Sequence, residues 1–422
     1  MARKKEVAEK PKEKAFDGAK GARGLVALSK RFDEAGWRPA REQLMEVRAV
    51  PTLFPGVDAV LGVGGWPTDR FGLVHGASAE GKTTFVLGLM LSFLLRGHSA
   101  AFIDAENTTP AKWVRELFPA KQFNSPLFLK KFPESYEQTV DAVRSWATAI
   151  GDAREHGEID EQTSGICVVD SIRKLVPKRL LETLMAQGSE DKGDKGDRWS
   201  KKAKGVDGLG GRAAQYKAAL NAAWMDELTS RLGQTGTCMV AIGREHANSD
   251  QRPGGFDDEW TLGGGRSLFF DSSVVARVGL DRQLIEGEGE SKRTLGERHY
   301  VQVRKTKIER KEVKYPRAFF HVSNGLDTPF GFDKSRDLIE VGVDCGIVEQ
   351  SGSWFAFDGL KLGQGAGKAA TFLALNDEVR ERLEAAVRKT FLGVHDAAEE
   401  SDELPPDTKR CPVSKVTKGE EE

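Results

Sequence analysis

Between residues 50 and 279, short apolar runs rich in β-branched and aromatic residues alternate with runs of helical periodicity. RFGLVHG precedes TTFVLGLMLSFLLRG; SAAFIDAE and AKWVREL come next, and GICVVDS and TCMVAIG follow later. Strands that are apolar at consecutive positions must be covered on both faces, and helices returning between them make neighbouring strands parallel. The pattern therefore predicts an α/β fold with a mostly parallel central sheet and helices on both sides. HYVQVRKTKI and AFFHVSNG are two further strand candidates. Near residue 333 the texture changes, and RDLIEVGVDCGIVEQ, SWFAFDG and two helical stretches predict a small, separate α+β lobe.

Composition narrows the class. With 422 residues, 39% hydrophobic and 30% charged, the chain can bury one large core and one or two smaller ones. Its start, MARKKEVAEKPKEK, is charged and no apolar stretch follows, and the most apolar run, 85–95, is too short for a bilayer. A cytoplasmic chain without membrane contact is expected. The cysteines at 167, 238, 345 and 411 lack the close pairs of zinc sites, and Cys167 and Cys238 read as small core residues. With 63 basic and 64 acidic residues, the net charge of −1 leaves nucleic acid open as a partner, so the local placement of charge must decide. LVALSKRF has the spacing of a small amphipathic helix behind a Lys/Glu-rich start, and the nine acidic and four basic residues from Asp396 onward predict a mobile tail. The expected division is 1–49, 50–330, 331–395 and 396–422.

Gly76-Ala77-Ser78-Ala79-Glu80-Gly81-Lys82-Thr83 fits G-x-x-x-x-G-K-[ST], with Thr84 next, between a strand candidate and an apolar helix. Glycines let backbone N–H groups curl towards phosphate oxygens, and the helix N-terminus adds partial positive charge. Lys82 is expected on the β- and γ-phosphates of ATP and Thr83 on Mg2+. A Gly-rich turn without ligand is the bland alternative. FIDAE delivers carboxylates at a strand's C-terminal edge, where ligands of open α/β sheets sit. Glu106 then either orients the attacking water or is a capping or surface acid. ICVVDS ends four apolar residues in Asp170, the Walker B pattern for Mg2+.

At these residues the chain resembles bacterial RecA recombinases over about residues 25–392. LGVGGWPTDRFGLVHGASAEGKTT resembles the segment leading into that family's phosphate loop, AFIDAEN its catalytic-glutamate strand, and VVDSIRKLVPK its Walker B strand. VRKTKI resembles its lysine pair, and GSWFAFDGLKLGQG its C-terminal lobe, which related P-loop ATPases lack. The resemblance implies a RecA-type P-loop ATPase core, a small N-terminal helical polymerisation segment and a small C-terminal α+β lobe. It implies ATP and Mg2+ as cofactors, Glu106 as catalytic base, and Lys305 and Lys307 acting on a neighbouring subunit's γ-phosphate. Trp113 falls where the family stacks an aromatic on adenine, with packing on the core as the other reading. Solvated strand lysines are the bland reading of Lys305 and Lys307, although a spacing of two puts both on one strand face.

The same resemblance implies single- and double-stranded DNA as partners, self-association into a helical filament, homologous pairing and strand exchange, and a part in DNA repair and the SOS response. The first DNA-binding loop is expected at about 177–212, where Arg198, Lys201, Lys202, Lys204 and Arg212 would neutralise phosphates. A solvated charged loop is the alternative. The second is expected at about 244–266, with Phe256 wedging between base triplets, Trp260 stacking on bases and Arg266 closing it. Several positions depart from the family. Arg244 replaces a glutamine that senses the γ-phosphate; Pro110 replaces an acid near the adenine; Phe269 and Val275 replace basic residues; and Asp207 replaces an apolar one. These departures favour a second possibility, a structural or regulatory filament without full strand exchange. A ring-forming helicase or circadian-type ATPase is a third, and it needs no such lobe.

Overall fold

A computed structural model describes residues 31, 47–182, 198–247, 260–262, 266–287, 289–308 and 316–396, of which 198–214, 246–247, 260–262, 266, 290 and 391–396 are described for backbone alone. The chain divides into Met1–Glu46 and Val47–Glu422, and the helices and strands from Ala49 onward all belong to the second unit. The expected N-terminal helix apart from Arg31, residues 183–197 of the first loop, Phe256 and the acidic tail beyond 396 lie outside the described residues.

The short strands β1 (Ala49–Val50) and β2 (Trp66–Pro67) pair antiparallel around α1 (Pro55–Leu61). The core begins with β3 (Phe71–Gly76) and α2 (Lys82–Leu95), and continues with β4 (Ser99–Asp104), α3 (Ala111–Leu117), α4 (Ala120–Phe123), β5 (Phe128–Lys131), α5 (Tyr136–Glu155) and β6 (Gly165–Asp170). After α6 (Arg198–Thr235) come β7 (Cys238–Ala247), β8 (Trp260–Leu262), α7 (Arg266–Asp271), β9 (Val274–Glu286), β10 (Arg293–Thr306), β11 (Arg317–Ser323) and β12 (Gly331–Phe332).

These strands form one sheet in the order β12-β11-β10-β9-β3-β7-β6-β4-β5, with β8 on β7. From β9 to β5 every pairing is parallel, and the extension from β9 to β12 is antiparallel. All residues of β3, β4 and β6 are buried, as a strand covered on both faces requires. Cys167 and Cys238 sit fully buried in that layer. Helix α2 is buried on nearly every side from Phe85 to Leu94, so it is a core helix rather than an amphipathic cover. Gly88 permits this, because a Cβ there would lie 2.3 Å from the Phe54 ring. On the opposite face Trp224, Met225, Leu228 and Leu232 of α6 recur at helical spacing against the sheet.

The sequence reading places a loop at 177–212, but the backbone is helical from Arg198. Lysines and alanines have high helix propensity, and the anchored half beyond residue 220 offers a template on which the helix extends. The glycines that suggest a loop cost only about 1 kcal/mol each relative to alanine.

A second, smaller assembly follows: α8 (Lys334–Asp344), the antiparallel strands β13 (Val348–Ser351), β14 (Trp354–Phe357) and β15 (Leu360–Gln364), α9 (Ala366–Leu375) and α10 (Asp377–Asp396). Leu338, Ile339, Phe355, Leu373, Leu383 and Val387 share its core. Asp333 caps α8 by accepting from Arg336 N at 3.0 Å, a contact worth about 1 kcal/mol. Arg388 of α10 reaches back to α1, 2.7 Å from Asp58 Oδ2 and 2.8 Å from the Thr52 carbonyl. Among the described residues no helix is long and apolar enough to cross a membrane.

Candidate nucleotide site

Parallel pairing brings the C-terminal ends of β3, β4, β6 and β7 to one sheet edge. Gly76 faces Arg244 across β3–β7, and Asp104 faces Asp170 across β4–β6. An open α/β sheet holds its ligand at such an edge. Residues 77–81 curl from β3 into α2, with Ala79 at φ +62° and Gly81 at φ +90°. A Cβ on Gly76 would lie 2.2 Å from the Val278 carbonyl oxygen, and one on Gly81 would lie 2.6 Å from His299 Nδ1, so the curl needs both glycines. Lys82 folds its ammonium back onto the Ala77 carbonyl inside the loop. Burial holds the Lys82 pKa below the ordinary lysine value, while the charges of Asp170 and Glu80 oppose the shift.

Thr83 donates its hydroxyl to Asp170 Oδ2 at 2.8 Å. Burial pushes the Asp170 carboxyl up to about 6; Glu106 and Asp104 add to the shift, and the Thr83 hydroxyl and Lys82 oppose it. A buried carboxylate whose charge is made costlier by burial and by the charges of Glu106 and Asp104 gains from a hard divalent cation. Thr83 and Asp170 thus fit Mg2+, and the curled loop with Lys82 fits the phosphates of a nucleotide. The magnesium ion would supply charge neutralisation at the phosphate oxygens.

The two carboxylates of FIDAE separate by environment. Asp104 is buried, 3.1 Å from Lys130 Nζ, and accepts from the backbone N–H groups of Thr108 and Thr109 at 3.4 and 3.3 Å. These contacts occupy it structurally. Glu106 is exposed at the site, and its Oε1 accepts from the Ser171 hydroxyl at 2.7 Å. The sequence reading missed Ser171 and Lys130. The position directly after Asp170 was the signal for the first, and no local pattern marks the second.

Arg244 is exposed and donates to Ser78 Oγ at 3.0 Å, so its side chain lies on the phosphate loop. Glu80 and Thr84 are half-buried there. Trp113 is half-buried on α3 and packs against the main core, and Pro110 precedes the helix at its N-cap. Lys305 lies in β10, which ends at Thr306, and Lys307 follows it, exposed, with its backbone N–H donating to the Ser273 carbonyl at 2.8 Å. Lys305 Nζ donates to the carbonyls of Phe269 and Phe270, each at 2.7 Å, at the C-terminal end of α7. Carbonyls left unpaired at a helix end attract a cation. Val275 is fully buried in β9. Arg198, Lys201, Lys202, Lys204 and Arg212 lie on the first turns of α6, Trp260 opens β8 and Arg266 opens α7.

The RecA N-terminal domain matches residues 25–316, and the RecA C-terminal domain matches 336–392. Protein RecA of Desulforapulum autotrophicum is 30% identical over 349 residues, covering 82% of this chain and 85% of that protein. Protein RecA of Nocardia farcinica is 28% identical over 385 residues, covering 91% of this chain and 95% of its own. Protein RecA of Solidesulfovibrio magneticus is 28% identical over 345 residues, with 82% of each covered. The G-x-x-x-x-G-K-T loop, the Thr83–Asp170 contact and matches that run through both domains together place this chain in the RecA family, as a diverged member.

Proposed function

We propose that the chain is a DNA-dependent ATPase and recombinase. It forms a helical filament on single-stranded DNA, pairs that strand with homologous duplex and exchanges strands in recombinational repair in the cytoplasm. The observation that carries this reading is the meeting of Lys82, Thr83, Asp170 and Glu106 at one sheet edge, in a chain that also has the family's C-terminal domain. In the proposed division, 1–49 serves polymerisation, 50–330 is the ATPase core, 331–395 is the C-terminal lobe and 396–422 is an acidic tail.

This reading gives each residue a role. Lys82 and the backbone of residues 76–83 hold the β- and γ-phosphates, while Thr83 and Asp170 hold Mg2+. Glu106, oriented by Ser171, takes the proton of the attacking water. Arg244 reports γ-phosphate occupancy through its place on the loop. Lys305 and Lys307 act across a subunit boundary, and the basic residues of 198–212, with Phe256, Trp260 and Arg266, meet DNA.

Phe269 and Val275, together with Arg244, favour a second reading in which a DNA-bound filament lacks full strand exchange. Electron micrographs with single-stranded DNA and a non-hydrolysable ATP analogue test the first claim, because extended helical filaments support it and closed rings refute it. A strand-exchange assay run beside an ATPase assay separates the two filament readings.

A further inference from the structure

Beneath the phosphate loop lies a charged cluster that the nucleotide site does not use. Glu245, on β7, is 6% exposed, and its Oε1 lies 2.6 Å from His75 Nδ1 and 2.8 Å from Arg277 Nε. Arg277 also donates to Glu245 Oε2 at 3.2 Å and to the Tyr300 hydroxyl at 2.5 Å. The cluster thus joins β3, β7, β9 and β10. Gly279 makes room for it, because a Cβ there would lie 2.3 Å from the Tyr300 ring. Hydrogen bonds and charge from His75 and Arg277 outweigh burial and hold the Glu245 carboxyl down to about 2, so the carboxylate is ionised.

Its position matters more than its strength. His75 immediately precedes Gly76, where the phosphate loop begins, and Glu245 immediately follows Arg244, whose side chain rests on Ser78 of that loop. Neighbouring residues of a strand point to opposite faces, so this end of β7 is tied to the phosphate loop on both faces at once. The next contacts of β7 are with β8: Glu245 faces Leu262, His246 faces Thr261 and Ala247 faces Trp260. A shift of the loop's first residue must therefore reach the β7–β8 ladder through a buried ion pair, and buried charged pairs tolerate little change in geometry.

We propose that His75, Glu245 and Arg277 form a positioning clamp that transmits the nucleotide state of the phosphate loop to the β7–β8 ladder, and so to DNA affinity. This rests on the proposed DNA-dependent ATPase function. Each of the three acts through the strand it holds.

The test uses the full-length protein and a fluorescent single-stranded oligonucleotide. Kd is measured by anisotropy with Mg2+ and either a non-hydrolysable ATP analogue or ADP, and the ratio of the two Kd values is the readout. His75→Leu and Glu245→Gln should each cut the wild-type ratio at least about tenfold, equivalent to about 1.4 kcal/mol of lost coupling. His75→Asn, whose amide can replace the Nδ1 contact, should keep the ratio within about threefold of wild type. If Glu245→Gln does not fold, Tyr300→Phe is measured in its place, with a smaller loss of ratio expected. A purely structural cluster would lower the thermal midpoint and weaken both Kd values equally. An unchanged ratio in His75→Leu therefore overturns the clamp. A wild-type ratio of one overturns the functional reading on which it rests.

Discussion

Thr83 and Asp170 are 87 residues apart in the chain, yet the threonine hydroxyl donates to the aspartate Oδ2 at 2.8 Å. The contact exists because β3 and β6 both end at the edge where α2 begins. Asp170→Asn keeps the shape and removes the charge. Nucleotide affinity in this variant should lose its dependence on Mg2+ and weaken at least about tenfold, about 1.4 kcal/mol, by titration calorimetry with and without the cation. Retained Mg2+ dependence would move the cation site elsewhere.

Glu106 and Ser171 give a graded test of catalysis. Glu106→Gln should bind ATP normally and turn over about a hundredfold more slowly or worse, the usual range for a lost general base. Ser171→Ala leaves the carboxylate but frees its orientation, so a smaller fall in kcat is expected with little change in KM. Steady-state ATPase assays report both, and normal turnover in Glu106→Gln would make Asp104 the next candidate.

The lysine pair should matter for turnover only when subunits touch. In the isolated chain Lys305 is held by the Phe269 and Phe270 carbonyls, so it must leave these contacts before it can act on a neighbour. The Lys305→Ala/Lys307→Ala variant should bind nucleotide as a dilute monomer and lose DNA-stimulated hydrolysis. Lys82→Ala should lose nucleotide-dependent DNA binding. Mixing the two restores a site with one intact phosphate loop and one intact lysine pair, so recovered hydrolysis is expected. Absence of recovery, with lost ATP binding in the double variant alone, would show that the lysines act within their own subunit.

Arg388 and Asp58 yield a pH signature. Burial raises the Asp58 carboxyl to about 6 against the opposing charge and hydrogen bond of Arg388 and the Thr52 contacts. A carboxyl whose folded pKa lies above its unfolded value costs stability above the folded pKa, and the cost is relieved as pH falls through it. Arg388→Met removes the countercharge, so the penalty should be largest above pH 6. Breaking one side of a buried pair costs about 3–5 kcal/mol. Thermal unfolding should show a large loss at pH 7.5 that shrinks as the pH is lowered to about 5, and a loss independent of pH would refute the electrostatic account.

Local patterns made part of this molecule legible. The loop 76–83 and the strand ending at Asp170 are contiguous motifs, and the alternation of strand and helix implied the parallel sheet that joins them. The sequence singled out Glu106 as the base, but the contact of Lys130 with Asp104, 26 residues away, was visible only in three dimensions. A period of two could not foresee that the Lys305 ammonium rests on the Phe269 and Phe270 carbonyls, 36 and 35 residues away. Glycine-rich composition hid the helical start at Arg198, where extension from a packed helix outweighs local propensity. His75 and Glu245 stand 170 residues apart and leave no local trace at all.

Asp58 and Arg388 also set a timetable. During synthesis the arginine emerges 330 residues after the aspartate it neutralises. At about 5–20 residues per second, that interval is roughly 15–65 seconds on the ribosome. Throughout it, α1 has a carboxylate that water must solvate, so α10 closes a site opened near the start of the core. The two helices that share this buried charge are thus made far apart in time, and the pair can form only once α10 has left the ribosome.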